Sequence, residues 1–358
     1  MNRTEQNRTE QNRTFYSLPD IIRNVYSHLG DDLSRQLFRE RLIVNFTGEM
    51  SGWRKYTETE MPEGKAVRDE LASHAAQEMI LFGAGANGKM IRQVYADLPW
   101  ACFADNRQMG TCEELPIISF DDLCAKHKNA FVLVTPMKHD QEIVQQLMDA
   151  GFPSENIRTW NDLTRKMEHD QYFDLPQIHF GEDVVFIDAG GYDGATTKTF
   201  IEWSKGAYKK VYCFEPSTHM IAECKKNLAD VSNVEVIRAG VSDMTGELQM
   251  FEGPTTAAVS TEFMVHPGPA TMLPVKKIDD ACPDATFIKM DIEGAELSAL
   301  KGAADTIRRN KPQMAICLYH KREDIWELPD YILSLRSDYT FYIRHYTVHT
   351  GETILYAV

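Results

Sequence analysis

Apolar residues near the N-terminus recur with the spacing of amphipathic helices. In LPDIIRNVYSHLG, Ile21, Val25 and Leu29 fall on one face of a helix, and DDLSRQLFRERLIVNF repeats the pattern. The spacing predicts a helical segment over residues 15–77. Its apolar faces are expected to pack within the chain or to form a homodimer surface.

From residue 78 onward, short apolar runs alternate with helical patterns, which is typical of parallel βαβ units. We predict a Rossmann-like domain over residues 78–165. The polar, weakly patterned stretch 160–176 is expected to connect it to a second domain. The strands predicted in the first domain are EMILF, WACFADN and AFVLVTP.

The alternation restarts in a second domain, predicted over residues 166–358. There, TFYIRHYTV and TILYAV are separated by a short turn sequence and predict a hairpin. The expected fold class is α/β, with two Rossmann-like domains and a C-terminal sheet that is mostly parallel and closed by an antiparallel hairpin. The Pro-, Gly- and Thr-rich segment 252–272 is predicted to be an irregular lid. The preceding strands are DVVFIDAG, KKVYCFEP, VEVIRAG, ATFIKMDIEG and QMAICLYH.

Composition narrows the class of protein. The 358 residues, 43% hydrophobic and 25% charged, are typical of a soluble globular chain with room for two domains. A net charge of −15 argues against binding nucleic acid or an anionic membrane. No apolar run approaches the roughly 18 residues of a membrane helix, and no signal peptide is recognisable, so we expect a cytoplasmic protein.

Two further features of composition are expected to carry no chemistry. The seven cysteines form no CxxC pair and no zinc-ligand spacing with histidine, so we expect buried free thiols and no metal site. Residues 1–14 repeat the unit NRTEQ without an apolar face, which predicts a disordered tail.

Two glycine-rich loops follow predicted strands. In LFGAGANGKM, Gly83, Gly85 and Gly88 form a GxGxxG pattern, and Asp105 ends the next strand. Because backbone N–H groups at a helix start attract anions and the loop itself has no acid, a nucleotide or nucleotide-sugar could bind at Gly83–Gly88. The alternative is that these glycines only allow close packing.

The second loop, FIDAGGYDGATTKTF, has the opposite electrostatics. Asp188 and Asp193 favour a cationic ligand, and S-adenosylmethionine carries a sulfonium and an ammonium group but no phosphate. The amino-acid part of this cofactor could lie over Gly190, Gly191 and Gly194, where a side chain would prevent close approach.

The next two strands also end in acids. Glu215 is placed to accept hydrogen bonds from the two ribose hydroxyls, with Ser217 close behind it in the chain, and Asp243 could meet the adenine amino group. Each acid alone could be a helix cap or a turn residue. Together, at three strand ends on one edge of a sheet, they favour a bound S-adenosylmethionine.

A fourth strand ends in the dense cluster KMDIEGAE, residues 289–296. With these residues the sequence resembles the FkbM family of S-adenosylmethionine-dependent methyltransferases. The family's D-x-G motif and following glycine match Asp188, Gly190 and Gly194, and its E-P motif matches Glu215. Its K-x-D-x-E-G-x-E motif matches the cluster itself. The resemblance covers roughly residues 175–358 and implies a class I methyltransferase sheet, while the first domain is similar to the Rossmann-like modules of sugar-modifying enzymes.

The resemblance implies methyl transfer from S-adenosylmethionine to an oxygen of a glycan, polyketide or related small molecule. Candidate general bases are Asp291 and His320, with Glu293 third. Asp291 could equally be a helix cap or a cofactor contact, and His320 could simply hydrogen-bond within the lid. Two alternatives to this enzyme are a non-catalytic nucleotide-sensing or scaffolding protein with a degenerate methyltransferase domain, and an NAD(P)-dependent oxidoreductase.

Overall fold

The computed structural model describes residues 17–169, 171–252, 257–258 and 270–358. The predicted tail and most of the predicted lid therefore lie outside the described residues.

The chain divides into two compact units. Unit A contains the described residues up to Gly48, together with Tyr172–His345 and Gly351–Val358. Unit B contains Glu49–Gln171 and Tyr346–Thr350. The helical segment predicted over residues 15–77 therefore contributes to both units. Two helices of this segment belong to unit A, namely α1 Leu18–Ser27 and α2 Asp32–Thr47.

Unit B is built around a mostly parallel sheet of six described strands in the order β3-β4-β2-β1-β5-β6, in which only β3 runs antiparallel to its neighbour. The predicted strands EMILF, WACFADN and AFVLVTP are confirmed as β1, β2 and β5. The strands are β1 Met79–Phe82, β2 Trp100–Ala104, β3 Gly110–Cys112, β4 Leu115–Ile118, β5 Phe131–Val134 and β6 Ile157–Thr159. The helices are α3 Ser51–Lys55, a π-helix Tyr56–Glu60, α4 Pro62–Ser73, α5 Ala86–Val94, α6 Phe120–Lys126, α7 Asp140–Asp149, a 3₁₀ helix Ser154–Asn156 and α8 Trp160–His169.

Unit A contains a sheet of seven described strands and a smaller one of four. The strands are β7 Val185–Ala189, β8 Lys210–Phe214, β9 Val234–Ile237, β10 Gly240–Val241, β11 Gly246–Glu252, β12 Ala257–Ala258, β13 Ala270–Lys276, β14 Phe287–Met290, β15 Gln313–Cys317, β16 Phe341–His345 and β17 Thr353–Ala357. The helices are α9 Ala195–Trp203, α10 Met220–Asn227, α11 Ile278–Ala281, α12 Glu296–Lys301, α13 Ala304–Asn310 and α14 Asp324–Leu335.

The larger sheet has the order β16-β17-β15-β14-β7-β8-β9. Strands β14, β15, β7, β8 and β9 are parallel, and the β16–β17 hairpin pairs antiparallel at one edge. The class I methyltransferase sheet with its antiparallel hairpin is therefore confirmed, as an open sheet. The chain order reverses between β7 and β14, which is where α/β sheets bind ligands.

The smaller sheet, ordered β10-β13-β11-β12, was not predicted. Within the segment 252–272, the described residues all belong to its strands.

Aromatic residues fill the core of unit A against the larger sheet. The rings of Phe186 and Phe200 stack with their centroids 4.2 Å apart, and Phe173 and Phe287 pack edge-on nearby. Burial of such side chains stabilises a fold by about 1.5–3 kcal/mol each. This cluster fixes β7 and β14 beside each other, so it also positions the ends of these strands.

The amphipathic pattern of α1 and α2 is explained by packing within unit A. The Ile343 N–H in β16 donates a 2.9 Å hydrogen bond to the buried Ser34 hydroxyl, and Arg344 pairs with Asp31 at 2.6 Å. Leu37 and Phe38 of α2 are fully buried. Helix α2 thus contacts the C-terminal hairpin of the same chain, and its predicted apolar face is buried.

The prediction for residues 160–176 was incomplete. This stretch begins with helix α8, and its last part, from Tyr172 onward, contributes buried aromatic residues to unit A. The seven cysteines are all free, and six of them are buried. Within the described residues, no helix has both the length and the apolarity to cross a membrane.

Candidate active site

A cavity of about 580 Å³ opens at the carboxyl ends of β7, β8 and β14 in unit A. This volume lies within the range of small-molecule sites. Four acids, Glu215, Asp243, Asp291 and Glu293, line the cavity, together with two lysines, Lys301 and Lys321. The lining therefore carries a net negative charge and favours a cationic ligand over a phosphate.

The glycine-rich turn after β7 forms one wall of the cavity at Gly190. This residue has a left-handed φ of +82°, and a Cβ atom there would lie 1.9 Å from the carbonyl oxygen of Asp291. Added Cβ atoms at Gly191 and Gly194 would meet Cys213 Sγ at 2.2 Å and the Leu228 side chain at 2.9 Å. All three glycines are thus required by contacts within the protein, and of the three only Gly190 lines the cavity.

Asp188 is fully buried beneath this turn and is not among the described residues that line the cavity. Its carboxylate accepts hydrogen bonds from the Thr197 hydroxyl at 2.7 Å and the Lys289 ammonium at 3.0 Å. Lys289 also donates to the carbonyl of Gly190 at 2.8 Å. The expectation that Asp188 supplies negative charge to the ligand is therefore corrected: Lys289 neutralises it, and the pair holds the turn in place.

Glu215 follows β8 and presents its carboxylate to the cavity. Its two oxygens accept hydrogen bonds from the Tyr192 N–H at 2.9 Å and the Ser217 N–H at 2.7 Å. Burial raises the pKa of Glu215 to about 7, although these donors and Lys289 oppose the shift. Each carboxylate oxygen keeps a second lone pair for a ligand hydroxyl.

The other predicted cofactor residues are divided between the cavity and the loops. Asp243 lines the cavity, with its carboxylate accepting from the Ser242 hydroxyl at 3.2 Å. Asp193 instead lies in the turn before α9, where its carboxylate accepts from the Ala195 N–H at 3.0 Å. Ser217 is buried, and its hydroxyl accepts from backbone N–H groups at the start of α10. In the structure, Asp193 and Ser217 thus both make local contacts to backbone N–H groups at helix starts.

Asp291 follows β14 and faces the cavity with its carboxylate held on several sides. Tyr172 donates to Oδ2 at 2.9 Å, and Tyr319 donates to Oδ1 at 3.3 Å. Although burial alone would raise the pKa of Asp291, the charges of Lys289 and His320 and the Tyr172 hydroxyl bring it below its usual value.

Tyr172 was not predicted as a site residue. It lies in the stretch interpreted as a connection, and the only signal was a pair of aromatic residues, Tyr172 and Phe173, in a polar context. Burial keeps the pKa of Tyr172 well above its usual value, so its hydroxyl remains a donor.

His320 lies among three carboxylates. Its Nδ1 is 2.9 Å from the buried Glu296 Oε1, and its Nε2 is 3.4 Å from Asp291 and 3.8 Å from Glu293. Burial alone would lower the pKa of His320, but the hydrogen bond to Glu296 and the three negative charges raise it to about 9. His320 is thus an imidazolium at neutral pH, and it is not among the described residues lining the cavity.

Glu296 was quoted in the sequence motif without a role. It is fully buried at the start of α12, and its Oε1 also accepts from the Ile292 N–H at 3.0 Å. The buried carboxylate therefore fixes the orientation of the His320 ring. The spacing of the two residues along the chain does not reveal this pair, because it depends on how α12 packs beside the end of β15.

Glu293 lines the cavity with its side chain 36% exposed. Its backbone has φ +56°, and Gly294 follows with φ +87°. Burial raises the pKa of Glu293, and the neighbouring charges of Asp291 and Glu296 add to this shift while His320 opposes it. Across the described part of the chain, no group of three or more His, Cys, Asp or Glu side chains is arranged to hold a metal ion.

The first glycine loop, in unit B, has no acid of its own, but Asp105 reaches it from the end of β2. The Asp105 carboxylate accepts a 3.0 Å hydrogen bond from the Ala84 N–H within the loop. It also accepts from the backbone N–H groups of Arg107 and Gln108. An added Cβ at Gly88 would lie 2.1 Å from the Gly83 carbonyl. The Asp105 carboxylate thus already accepts from a backbone N–H that would otherwise be open to a phosphate. The glycine at position 88 is explained by its close approach to the Gly83 carbonyl.

Comparison with known proteins gives a family match in unit A. Residues 188–343 match the model of the methyltransferase FkbM domain. The chain is 22% identical to the 2-O-methyltransferase NoeI of Sinorhizobium fredii over 36% of its own length, and the match spans 61% of that relative.

Two solved structures are also similar. The methyltransferase FkbM from Methylobacillus flagellatus matches with a TM-score of 0.49 and 23% identity, covering 82% of this chain and 93% of that one. Aeropyrum pernix fibrillarin with bound S-adenosyl-L-methionine matches with a TM-score of 0.33 and 11% identity, covering 52% and 70%. The sequence similarity to the methyltransferase FkbM domain thus lies in residues 188–343, which contain the residues around the cavity.

Proposed function

We propose that this protein is an S-adenosylmethionine-dependent methyltransferase that methylates a hydroxyl group of a glycan, polyketide or related small molecule. The observation that carries the proposal is the cavity itself, whose lining has four carboxylates at strand ends and two lysines. A donor that bears a sulfonium and an ammonium group matches this charge, whereas a dinucleotide pyrophosphate does not.

The lining suggests how the donor would lie. Glu215 would accept the ribose hydroxyls, because its carboxylate is fixed by two backbone donors and still has free lone pairs. Asp243 would accept from the adenine amino group beside Leu248 and Met250, which supply apolar contacts. The amino-acid part would lie near Gly190, which leaves the methyl group toward Asp291 and Glu293.

Methyl transfer is a direct displacement at the methyl carbon, so its rate depends chiefly on alignment. Holding the acceptor oxygen, methyl carbon and sulfur in line can supply about 7–11 kcal/mol. A general base adds about 10²–10⁴-fold, or about 3–5 kcal/mol. Positioning of the donor and the acceptor in the cavity therefore contributes more to the rate than removal of the proton.

The acceptor class is supported by the relative NoeI, a 2-O-methyltransferase by name. We propose a hydroxylated acceptor entering at the Asp291–Glu293 end of the cavity, where Lys321 also lies.

The experiment is incubation with S-adenosylmethionine carrying a ¹³C-methyl group and a panel of hydroxylated glycans and polyketides. The expected product is a ¹³C-methyl ether found by mass spectrometry, with formation of S-adenosylhomocysteine. Labelled product on a nitrogen or carbon acceptor, with none on oxygen, would contradict the O-methylation. A chain that does not bind the donor would contradict the whole proposal.

A further inference from the structure

Resting on the proposed methyl transfer, we propose that Glu293 is the residue that accepts the proton of the acceptor hydroxyl. Of the three candidate bases named from the sequence, Asp291 and Glu293 line the cavity and His320 does not. The choice therefore lies between two carboxylates on one strand-to-helix connection.

The Asp291 carboxylate is already engaged by protein donors. Hydrogen bonds from Tyr172 and Tyr319 reach its two oxygens, and the His320 Nε2 lies 3.4 Å from Oδ1. Together with nearby Lys289, these groups stabilise the ionised form and lower the pKa of Asp291. A carboxylate stabilised in this way is a weak base, so Asp291 is better suited to stabilise the positive sulfonium.

The Glu293 carboxylate has no hydrogen-bonding partner among the described residues, and its one close ionic neighbour is His320 at 3.8 Å. His320 is buried and oriented by Glu296, so it remains a fixed cation behind Glu293. Glu293 thus combines access to the cavity with unused acceptor capacity, which a proton acceptor needs.

The backbone of Glu293 provides a second, independent observation. Its φ of +56° lies in the left-handed region, where glycine or asparagine is preferred over a residue such as glutamate. Conformations of this kind lower stability and concentrate at functional sites. A glutamate that is costly for the fold and projects into a cavity is most simply explained by what its carboxylate does there.

The charged groups around Glu293 come from several elements that pack against it. Asp291 and Glu296 face it from its own connection, and His320 faces it from the end of β15, where Lys321 lines the same cavity. Burial and the two acids raise the pKa of Glu293, while His320 limits the shift. A base whose pKa is raised toward the working pH is more effective than a strongly acidic one.

The proposed step transfers a methyl group to the acceptor oxygen and a proton to Glu293. The acceptor oxygen forms a bond to the methyl carbon as the carbon–sulfur bond breaks, and that electron pair remains on sulfur to give a neutral thioether. The acceptor O–H bond breaks, and its proton moves to Glu293. Because 36% of the Glu293 side chain is exposed, the proton can then pass to water.

Calorimetry tests this assignment without a known acceptor. Binding of S-adenosylmethionine and S-adenosylhomocysteine is measured in buffers of different ionisation enthalpy between about pH 5 and 7, above the ordinary glutamate pKa of about 4.3. The sulfonium beside Glu293 favours its ionised form, so S-adenosylmethionine should release more protons than the uncharged thioether. Contributions from Glu215 cancel in the difference, because both ligands carry the same ribose.

The expected result is a difference in proton release that disappears in Glu293→Gln and persists in Asp291→Asn. Once an acceptor is known, Glu293→Gln should lower turnover by about 10²–10⁴-fold. A difference that persists in Glu293→Gln, disappears in Asp291→Asn or is absent from the wild type overturns the assignment. If neither ligand binds, the proposed function itself fails, and this outcome is distinct from the others.

A stability measurement completes the test. Glu293→Gly should raise the urea midpoint of unfolding while abolishing the difference in proton release. Glu114→Gly, at another left-handed glutamate with φ +66° in a β-turn of unit B, is the matched control and should raise the midpoint without changing binding. A lower midpoint for Glu293→Gly would show that the backbone is not strained there and would remove this support.

Discussion

The ammonium group of Lys289 lies 3.0 Å from Oδ1 of Asp188, and both side chains are buried. The acid at the end of β7 is therefore matched by a lysine from β14, two strands that are neighbours in the sheet. The cavity derives its negative charge from Glu215, Asp243, Asp291 and Glu293 instead.

Through this ion pair, Asp188 stabilises the folded protein. Asp188→Asn leaves the Lys289 charge buried without its partner, so we expect the free energy of unfolding to fall by about 3–5 kcal/mol. The double variant Asp188→Asn/Lys289→Met removes both charges and should recover most of this loss. Urea denaturation measures both values. A single variant as stable as the wild type would contradict the role of the pair.

His320 predicts a pH dependence of stability. Its folded pKa of about 9 lies above the unfolded value of about 6.5, so its contribution is fully present below about pH 6.5 and is lost as the pH rises through about 9. The expected contribution of His320 to the free energy of unfolding is about 3 kcal/mol, because each pKa unit corresponds to about 1.4 kcal/mol.

Unfolding free energies of wild type and His320→Asn, measured across this pH range, should converge at high pH. The exposed His179 provides the control, since His179→Asn should follow the wild type. Parallel curves for wild type and His320→Asn would mean that the pKa of His320 is not raised.

Gly190 predicts a steric effect in the absence of ligand. An alanine Cβ would lie 1.9 Å from the Asp291 carbonyl at a left-handed φ, so Gly190→Ala should lower the free energy of unfolding by about 1–3 kcal/mol. The control is Gly85→Ala in the first glycine loop, where no heavy atom lies within 4 Å of the added Cβ. The midpoint of thermal unfolding should be clearly lower for Gly190→Ala than for Gly85→Ala.

Glu215 predicts that cofactor affinity depends on pH. Because burial raises its pKa to about 7, the carboxylate becomes protonated as the pH falls through 7. Hydrogen bonds to a charged acceptor are stronger by about 1 kcal/mol, so affinity for S-adenosylhomocysteine should fall about fivefold. Glu215→Gln should bind more weakly and show little dependence over the same range.

The sequence was informative wherever local pattern determines structure. Apolar runs predicted the five parallel strands of the larger sheet, but only three of the five described parallel strands of unit B, since β4 and β6 were missed. Acids that follow strands predicted Glu215, Asp243, Asp291 and Glu293 on one edge of the larger sheet. These features depend on the alternation of strands and helices, which a single sequence displays directly.

Contacts between distant residues could not be predicted in the same way. Lys289 neutralises Asp188 across two strands, Tyr172 reaches Asp291 from a polar stretch, and Glu296 orients His320 through the packing of a helix. Asp105 similarly fills the first glycine loop only because the sheet brings it there. Each pairing depends on tertiary packing, which the periodicity of the chain does not encode.

The most direct test of the central claim is calorimetric titration of S-adenosylmethionine into wild type, Glu215→Ala and Asp193→Asn. We expect saturable binding to the wild type, loss of binding in Glu215→Ala, and unchanged binding in Asp193→Asn. Asp193 accepts from the Ala195 N–H and is not among the described residues that line the cavity. Absence of binding to the wild type, or equal affinity in Glu215→Ala, would contradict the account.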